Sequence, residues 1–257
     1  MRLPSDWDKP SPENKELCRL FKAGIISTGN ARLPYRYFAP DNSSKLPLVY
    51  YFHGADCFGN DNESQLEMHD AGTLLARTDW QLHHPCHIIA PQCKPKDSWG
   101  SLAILDALER LHESYISGHN IDKDRVYAYG YSAGGIGLLR MLKKDKNPFA
   151  AAIPICGATE RDRLDALKHT PIWLVHAVDD TIVPASYKKL HSQGLTILGS
   201  KDLYERLKDD PGYDLHYEEL PEGYMKSVYN ANPHCSWVHL SHCPHIWDWL
   251  FKQKREH

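Results

Sequence analysis

The chain is 257 residues long, with 42% hydrophobic and 25% charged residues and a formal net charge of −3. Such a chain can bury a substantial core, as one large domain or at most two small ones, and its composition is that of an ordinary globular protein. The balanced charge excludes the basic footprint of a nucleic-acid binder, and no apolar run approaches the roughly 20 residues that a bilayer span needs. Seven cysteines, an odd number with no C-x-x-C pair, argue against a disulfide framework and against a zinc ribbon. The first residues, Met1-Arg2-Leu3-Pro4-Ser5-Asp6-Trp7-Asp8, lack the apolar centre of a signal peptide. A cytoplasmic location is therefore expected, although a secreted protein already relieved of its leader would read the same.

Ser11-Pro12-Glu13 is a helix start, with proline at the first helical position and acid in the first turn. Leu17, Leu20 and Phe21 follow on one face, and Gly24 is expected to close the helix. Arg32 to Phe38 reads as an edge strand ending near Pro40, with turn residues after it. Leu46 to Phe52 is continuously apolar, the mark of a strand buried on both faces of a parallel sheet. It runs into His53-Gly54-Ala55-Asp56, a polar loop at the carboxyl end of a strand, where open α/β sheets place their sites. Leu66 to Ala76 is expected to be a helix, His87 to Ala90 a short buried strand, and Ser101 to His119 a long amphipathic helix striped by Leu105, Leu108, Leu111 and Tyr115. Further strands are expected at 150–156, 172–176 and 215–220, with helical pieces near Leu164, at 204–207 and at 246–251. Strands alternating with helices mean a mostly parallel sheet covered on both faces, and no repeat or linker divides the chain. One domain over 1–257 is expected, with 1–30 as an N-terminal extension.

Between the long helix and the strand at 150–156 lies Val126-Tyr127-Ala128-Tyr129-Gly130-Tyr131-Ser132-Ala133-Gly134-Gly135. A β-prone run ends in G-x-S-x-G, and Ile136, Leu139 and Leu142 then recur at helical spacing. In the context of strand, sharp turn and helix, this pentapeptide reads as a nucleophile elbow. The turn strains its central serine, so the residues two before and two after must be tiny. The competing reading is a glycine-rich turn whose serine merely caps the helix.

An activated serine needs a base, and the base needs an orienting carboxylate, in the chain order serine, acid, histidine for this architecture. The strand 171–177 leads into Val178-Asp179-Asp180-Thr181, and spacing alone leaves Asp179 and Asp180 equal. Downstream, His234 in Asn232-Pro233-His234-Cys235-Ser236-Trp237 follows the last strand and is bounded by turn residues, which makes it the candidate base, with His239 in reserve. An oxyanion would be held by the N–H of Ala133 and by one from the loop after Gly54, best Ala55. The histidines and cysteines at 234, 235, 239, 242, 243 and 245 invite a zinc reading, but with one histidine assigned to the triad and no acidic partner in view, no metal or cofactor is expected. Trp99, Tyr131 and Trp237 adjoin segments expected around the pocket and are candidate substrate contacts, Trp99 foremost.

These residues resemble an esterase of the α/β-hydrolase superfamily, closest to the peptidase-like group that also holds feruloyl esterases, acetylxylan esterases and polyhydroxyalkanoate depolymerases. The resemblance covers roughly Leu46 to Phe251. It is carried by His53-Gly54-Ala55, Gly59-Asn60-Asp61-Asn62-Glu63, Ala90-Pro91-Gln92-Cys93, Gly130-Tyr131-Ser132-Ala133-Gly134-Gly135, Asp180-Thr181-Ile182-Val183-Pro184 and His234-Cys235-Ser236-Trp237. It implies the α/β-hydrolase fold, a triad of Ser132, Asp180 and His234, and Ala55 as an oxyanion donor. Three departures stand out: Asp56 where a second glycine is common, Pro233 where glycine usually precedes the histidine, and an insertion at about 186–198, read as either a lid or pocket wall or a surface elaboration. The implied activity is hydrolysis of short-acyl esters, or of feruloyl and acetyl esters on polysaccharide, with no nucleic-acid or membrane partner and an oligomeric state left open. A serine peptidase of the same fold and a catalytically silent binding module are the alternatives.

Overall fold

The computed structural model describes residues 11–95, 98–188, 194 and 196–255. Its main sheet contains Lys22–Ser27 (β1), Arg32–Phe38 (β2), Leu46–Phe52 (β3), His87–Pro91 (β4), Ile121–Tyr131 (β5) and Ala151–Ile155 (β6). Ala158–Glu160 (β7) and Ile197–Gly199 (β9) form a separate antiparallel ribbon, while Ile172–Ala177 (β8) and Leu215–Leu220 (β10) complete the sheet. The strand order is β1-β2-β4-β3-β5-β6-β8-β10. Strands β4, β3, β5, β6, β8 and β10 run parallel to one another, and β1 and β2 are antiparallel additions on one side. The helices are Pro12–Cys18 (α1), Ser64–Glu67 (α2), Asp70–Thr73 (α3), Thr78–His83 (α4), Leu102–Gly118 (α5), Ala133–Leu142 (α6), Ser200–Leu207 (α7), Tyr224–Tyr229 (α8), Ser236–Leu240 (α9) and Pro244–Lys252 (α10). No helix of the described residues is long and apolar enough to cross a membrane.

Because side chains alternate across a strand, the apolar runs of β3 and β5 feed two cores at once. Val49, Tyr51, Tyr127, Tyr129 and Tyr131 face a core shared with α3, α9 and α10. Leu48, Tyr50, Phe52, Val126 and Ala128 face one shared with α5, α6 and α7. All seven residues of β3 are buried. No disulfide joins any of the seven cysteines.

Four expectations need correction. Helix α1 starts at its Ser11 cap but ends at Cys18, where the N–H groups of Arg19, Leu20 and Phe21 tighten onto carbonyls three residues back. Leu20 is left exposed, and Gly24 lies within β1 rather than at a helix end. Strand β2 is accordingly interior and β1 is the edge; Lys22 and the exposed, alternating face of β1 suit that place. Within 1–30, the short helix α1 is followed by β1, which joins the sheet. Finally, the helix expected over 66–76 is broken at His69, which is extended (φ −133°, ψ 145°), into α2, α3 and a 3₁₀ turn at Leu74–Ala76. Of the 186–198 insertion, 189–193 and 195 lie outside the described residues. Its described ends are anchored, Ser186 Oγ and Tyr187 N donating to the Asp202 carboxylate at 2.6 Å each, and Ile197–Gly199 pairing with β7.

Two buried histidines and a half-buried one give the fold a defined pH response. Burial lowers His53, His87 and His112 to about 4 from an ordinary 6.5. Between those values the unfolded chain binds protons that the folded one refuses, so stability rises with pH across the window. The contribution is complete above pH 6.5 and lost as pH falls toward 4. Asp61 and Glu160, each held down to about 2, lose their contributions only at lower pH. The melting temperature at constant ionic strength is expected to fall steeply from pH 6.5 to 4.5; a flat profile over that range would refute the assignment.

Candidate active site

Strands β3, β5 and β8 deliver their carboxyl ends to one side of the sheet. The β3–β5 register pairs Phe52 with Gly130, so the loop after β3 lies against the turn after β5. At that turn Ser132 has φ 52° and ψ −120°, a conformation L-residues rarely adopt, and its carbonyl accepts the first bond of α6 from Ile136 N. Its own N–H donates to Ile155 O at 3.0 Å. A Cβ at Gly130 would stand 2.8 Å from Phe52 O, and one at Gly134 would overlap the carbonyls of Phe52 and His53. The Gly134→Ala substitution would gain about 1 kcal/mol of helix propensity, but the clash is with backbone that cannot swing away. Gly134→Ala is therefore expected to be destabilised by about 2 kcal/mol or more, read as a lowered melting temperature; an unchanged or raised one would contradict the close approach.

The three triad candidates meet. His234 Nε2 lies 2.9 Å from Ser132 Oγ, and His234 Nδ1 lies 2.7 Å from Asp180 Oδ2, across 102 and 54 residues of chain. A carboxylate only accepts, so Nδ1 carries the proton and Nε2 is left to accept from the serine hydroxyl. Asp180 Oδ1 accepts the N–H groups of Ile182 and Val183 at 2.8 and 3.1 Å, which fixes the carboxylate plane. Burial opposes the charge on Asp180, but hydrogen bonds from His176 and His234 and the attraction of both rings outweigh it, holding the carboxyl well below the usual range. Asp179, equal by spacing, turns away and accepts from Gly223 N at 2.9 Å. The loop bearing His234 is pinned at both ends. Asn232 Oδ1 accepts His234 N at 2.9 Å, and Ser236 Oγ accepts Ala177 N at 3.2 Å, tying the start of α9 to the end of β8. The reserve base His239 is engaged elsewhere, with Tyr229 Oη and Cys243 Sγ each 3.0 Å from its ring nitrogens.

Ala133 opens α6 and Ala55 opens a 3₁₀ turn at Ala55–Cys57. N–H groups in a first turn have no partner within their own helix, which suits both for an anion. Ser132 and Ala133 are half-buried and Ala55 is exposed, so the site is open to solvent.

The residues expected to touch substrate are instead packed into the fold. Trp99 is 2% exposed; its ring packs edge-on against Phe52 and His53 and over Gly137, and its Nε1 donates to His53 O at 3.0 Å. Tyr131 is 1% exposed because alternation along β5 turns it into the core it shares with Tyr127 and Tyr129. Trp237 is 6% exposed and lies on Tyr131, ring centroids 4.2 Å apart.

Two groups at the site escaped sequence reasoning. His176, fully buried on β8, donates from Nε2 to Val183 O at 2.9 Å and to Asp180 Oδ2 at 3.2 Å, while Nδ1 meets Ser200 Oγ at 2.9 Å. A histidine four residues before the acid, ending an otherwise apolar strand, was the available signal. The other is Asp56, whose carboxylate meets His69 Nε2 and accepts the Tyr131 hydroxyl at 2.9 Å. Asp56, Cys57 and His69 are also the one group among the described residues whose potential ligand atoms cluster within 4.8 Å. Burial raises the Cys57 thiol far above its ordinary value, which opposes the thiolate a metal would take.

A model of the prolyl oligopeptidase family matches residues 96–193. No curated protein matches the sequence. Among solved structures, a thermostable esterase superposes with a TM-score of 0.83 and is 31% identical over 93% of this chain; the chain spans 64% of that esterase's length. The acylaminoacyl peptidase of Pyrococcus horikoshii gives a TM-score of 0.61 at 15% identity, covering 92% of this chain and 42% of the peptidase. Est1E from Butyrivibrio proteoclasticus gives 0.58 at 14% identity, covering 88% and 97% of the two chains. A parallel sheet with antiparallel strands on one side, a strained serine between β5 and α6, and these neighbours together give the chain the α/β-hydrolase fold.

Proposed function

We propose that the chain is a serine hydrolase that cleaves carboxylic esters through an acyl-enzyme on Ser132, acting on short-acyl esters or on feruloyl and acetyl esters of polysaccharide. The observation that carries the reading is the unbroken hydrogen-bonded run Ser132 Oγ, His234 Nε2, His234 Nδ1, Asp180 Oδ2 at a strained, solvent-accessible elbow. The similarity to a thermostable esterase supports the ester class.

In this mechanism Ser132 Oγ attacks the acyl carbon as His234 Nε2 takes its proton, and Asp180 stabilises the imidazolium without itself being protonated. The carbonyl oxygen, now an anion, is met by the N–H groups of Ala133 and Ala55. Collapse of the tetrahedral species breaks the ester C–O bond, and His234 returns the proton to the departing alcohol. Water then repeats the sequence on the acyl-enzyme, giving up its proton to His234, and releases the acid with Ser132 restored.

The match to the prolyl oligopeptidase family favours a second reading, amide cleavage by the same triad. A panel of p-nitrophenyl acetate, butyrate and octanoate, methyl ferulate and an N-acylaminoacyl p-nitroanilide separates the two. Ester turnover with the anilide untouched is the expected result, and the preferred ester identifies the acyl class. Cleavage of the anilide alone would move the assignment to a peptidase. A chain inert toward all of them and unlabelled by a fluorophosphonate would be a binding module.

A further inference from the structure

We propose that Asp56 is a positioning residue of the oxyanion hole: its carboxylate ties the loop carrying the Ala55 N–H to the strand that delivers Ser132, and His69 holds that carboxylate in place. The proposal rests on the serine-hydrolase reading and adds to it a determinant of how well the hole is formed.

Ala55 sits in an exposed single turn whose own bonds, Cys57 N to Gly54 O and Phe58 N to Ala55 O, are both 3.2 Å. So short a turn needs outside support if its N–H is to stay aimed at one point. Support on the near side comes from His53, whose Nδ1 donates to Gly54 O at 2.7 Å and whose Nε2 accepts Cys93 N at 3.0 Å. Support on the far side comes from Asp56. One oxygen accepts the hydroxyl of Tyr131, the residue directly before Ser132, at 2.9 Å. The other meets His69 Nε2, and the ring is 3% exposed because the break between α2 and α3 turns it inward.

Nothing else competes for that histidine. Its Nδ1 is buried without a hydrogen-bond partner among the described residues, so Asp56 is the ring's one polar anchor. Aromatic faces complete the brace: His69 packs on Tyr131 and Trp237 at 5.5 and 5.1 Å, and Trp237 stands edge-on to His234 at 5.7 Å. The loop, the nucleophile strand and the base-bearing segment therefore share one packed unit. Asp56 is suited to the joint because it offers acceptors in two directions. An asparagine would turn an NH₂ group toward one of the two donors, and an alanine would leave His69 Nε2 without a partner and the Tyr131 hydroxyl with Cys57 Sγ alone, 3.4 Å away.

The test uses the intact protein, with active sites counted by fluorophosphonate titration so that misfolded molecules drop out. Misplacing a catalytic donor by about 1 Å costs on the order of 10² in rate. Asp56→Ala is expected to lower kcat per titrated site about 10- to 100-fold with KM within about threefold, and to weaken a trifluoromethyl ketone, which forms an oxyanion on Ser132, by a similar factor. Asp56→Asn and Tyr131→Phe should fall between wild type and Asp56→Ala. A merely structural role would lower the titrated fraction and leave kcat per site and ketone affinity alone. Asp56→Ala within twofold of wild type on both measures overturns the proposal while leaving the hydrolase reading standing. A wild-type protein that the fluorophosphonate does not label at Ser132 removes both.

Discussion

Ser132→Gly is expected to abolish turnover and yet raise the melting temperature. Loss of the nucleophile from a triad costs on the order of 10⁶ in kcat, because the base and acid have nothing left to activate. The same residue carries the site's backbone strain, with φ 52° and ψ −120°, a conformation that glycine enters without penalty. Such strain is worth about 1–3 kcal/mol, and the added freedom of glycine in the unfolded chain returns roughly 0.5–1 of it. The balance is a stabilisation of about 1 kcal/mol, or a rise of about 2–4 °C for a chain of this size. Thermal melting beside a p-nitrophenyl acetate assay checks both halves. A variant that melts below wild type would mean that the hydroxyl or its Cβ stabilises the turn more than the strain opposes it. Retained turnover would remove Ser132 from the chemistry altogether.

How much of this site the sequence discloses depends on how local each constraint is. The elbow is legible because its demands fall within five residues: only glycine fits at 130 and 134, where the backbone crosses the end of β3. His234 is found by elimination, being the downstream histidine that lies outside the last strand and the closing helix and is bounded by turn residues. Asp180 and Asp179 cannot be separated by spacing, since adjacent residues in a loop can point either way. What separates them is Gly223, 44 residues on, which takes Asp179. The Asp56 brace is invisible for the same reason, since its partners lie 13 and 75 residues away. The break at His69 hides inside a run whose composition reads as continuous helix. Trp99 illustrates a different limit. Its segment lies at the expected end of the sheet, but the absence of a side chain at Gly137 draws the ring inward. A position near the site follows from topology, whereas the direction of a side chain follows from which neighbour leaves room for it.

Fixed side-chain direction also makes Asp180→Asn more damaging here than a simple loss of charge. The carboxylate is fully engaged: Oδ1 takes the N–H groups of Ile182 and Val183, and Oδ2 takes His234 Nδ1 and His176 Nε2. Every one of those four partners is a donor in the arrangement described, so an asparagine NH₂ meets donors whichever way it is turned. Turned toward the histidines, it favours the His234 tautomer protonated at Nε2, which donates to Ser132 Oγ instead of accepting its proton. Such a tautomer error costs about 10⁴ in kcat. His176 does not absorb the change by switching its own tautomer, because Nε2 must keep donating to Val183 O. Turned the other way, the NH₂ opposes Ile182 and Val183 and loosens the loop, leaving buried donors unsatisfied at about 1–3 kcal/mol. Asp180→Asn is therefore expected to combine a fall in kcat of about 10⁴ with a lowered melting temperature, where Asp179→Asn should change kcat by less than about tenfold. Steady-state kinetics and melting curves on the two variants decide it. Equal losses from both would mean that the acid is shared between neighbouring carboxylates, and a larger loss from Asp179→Asn would transfer the role to it.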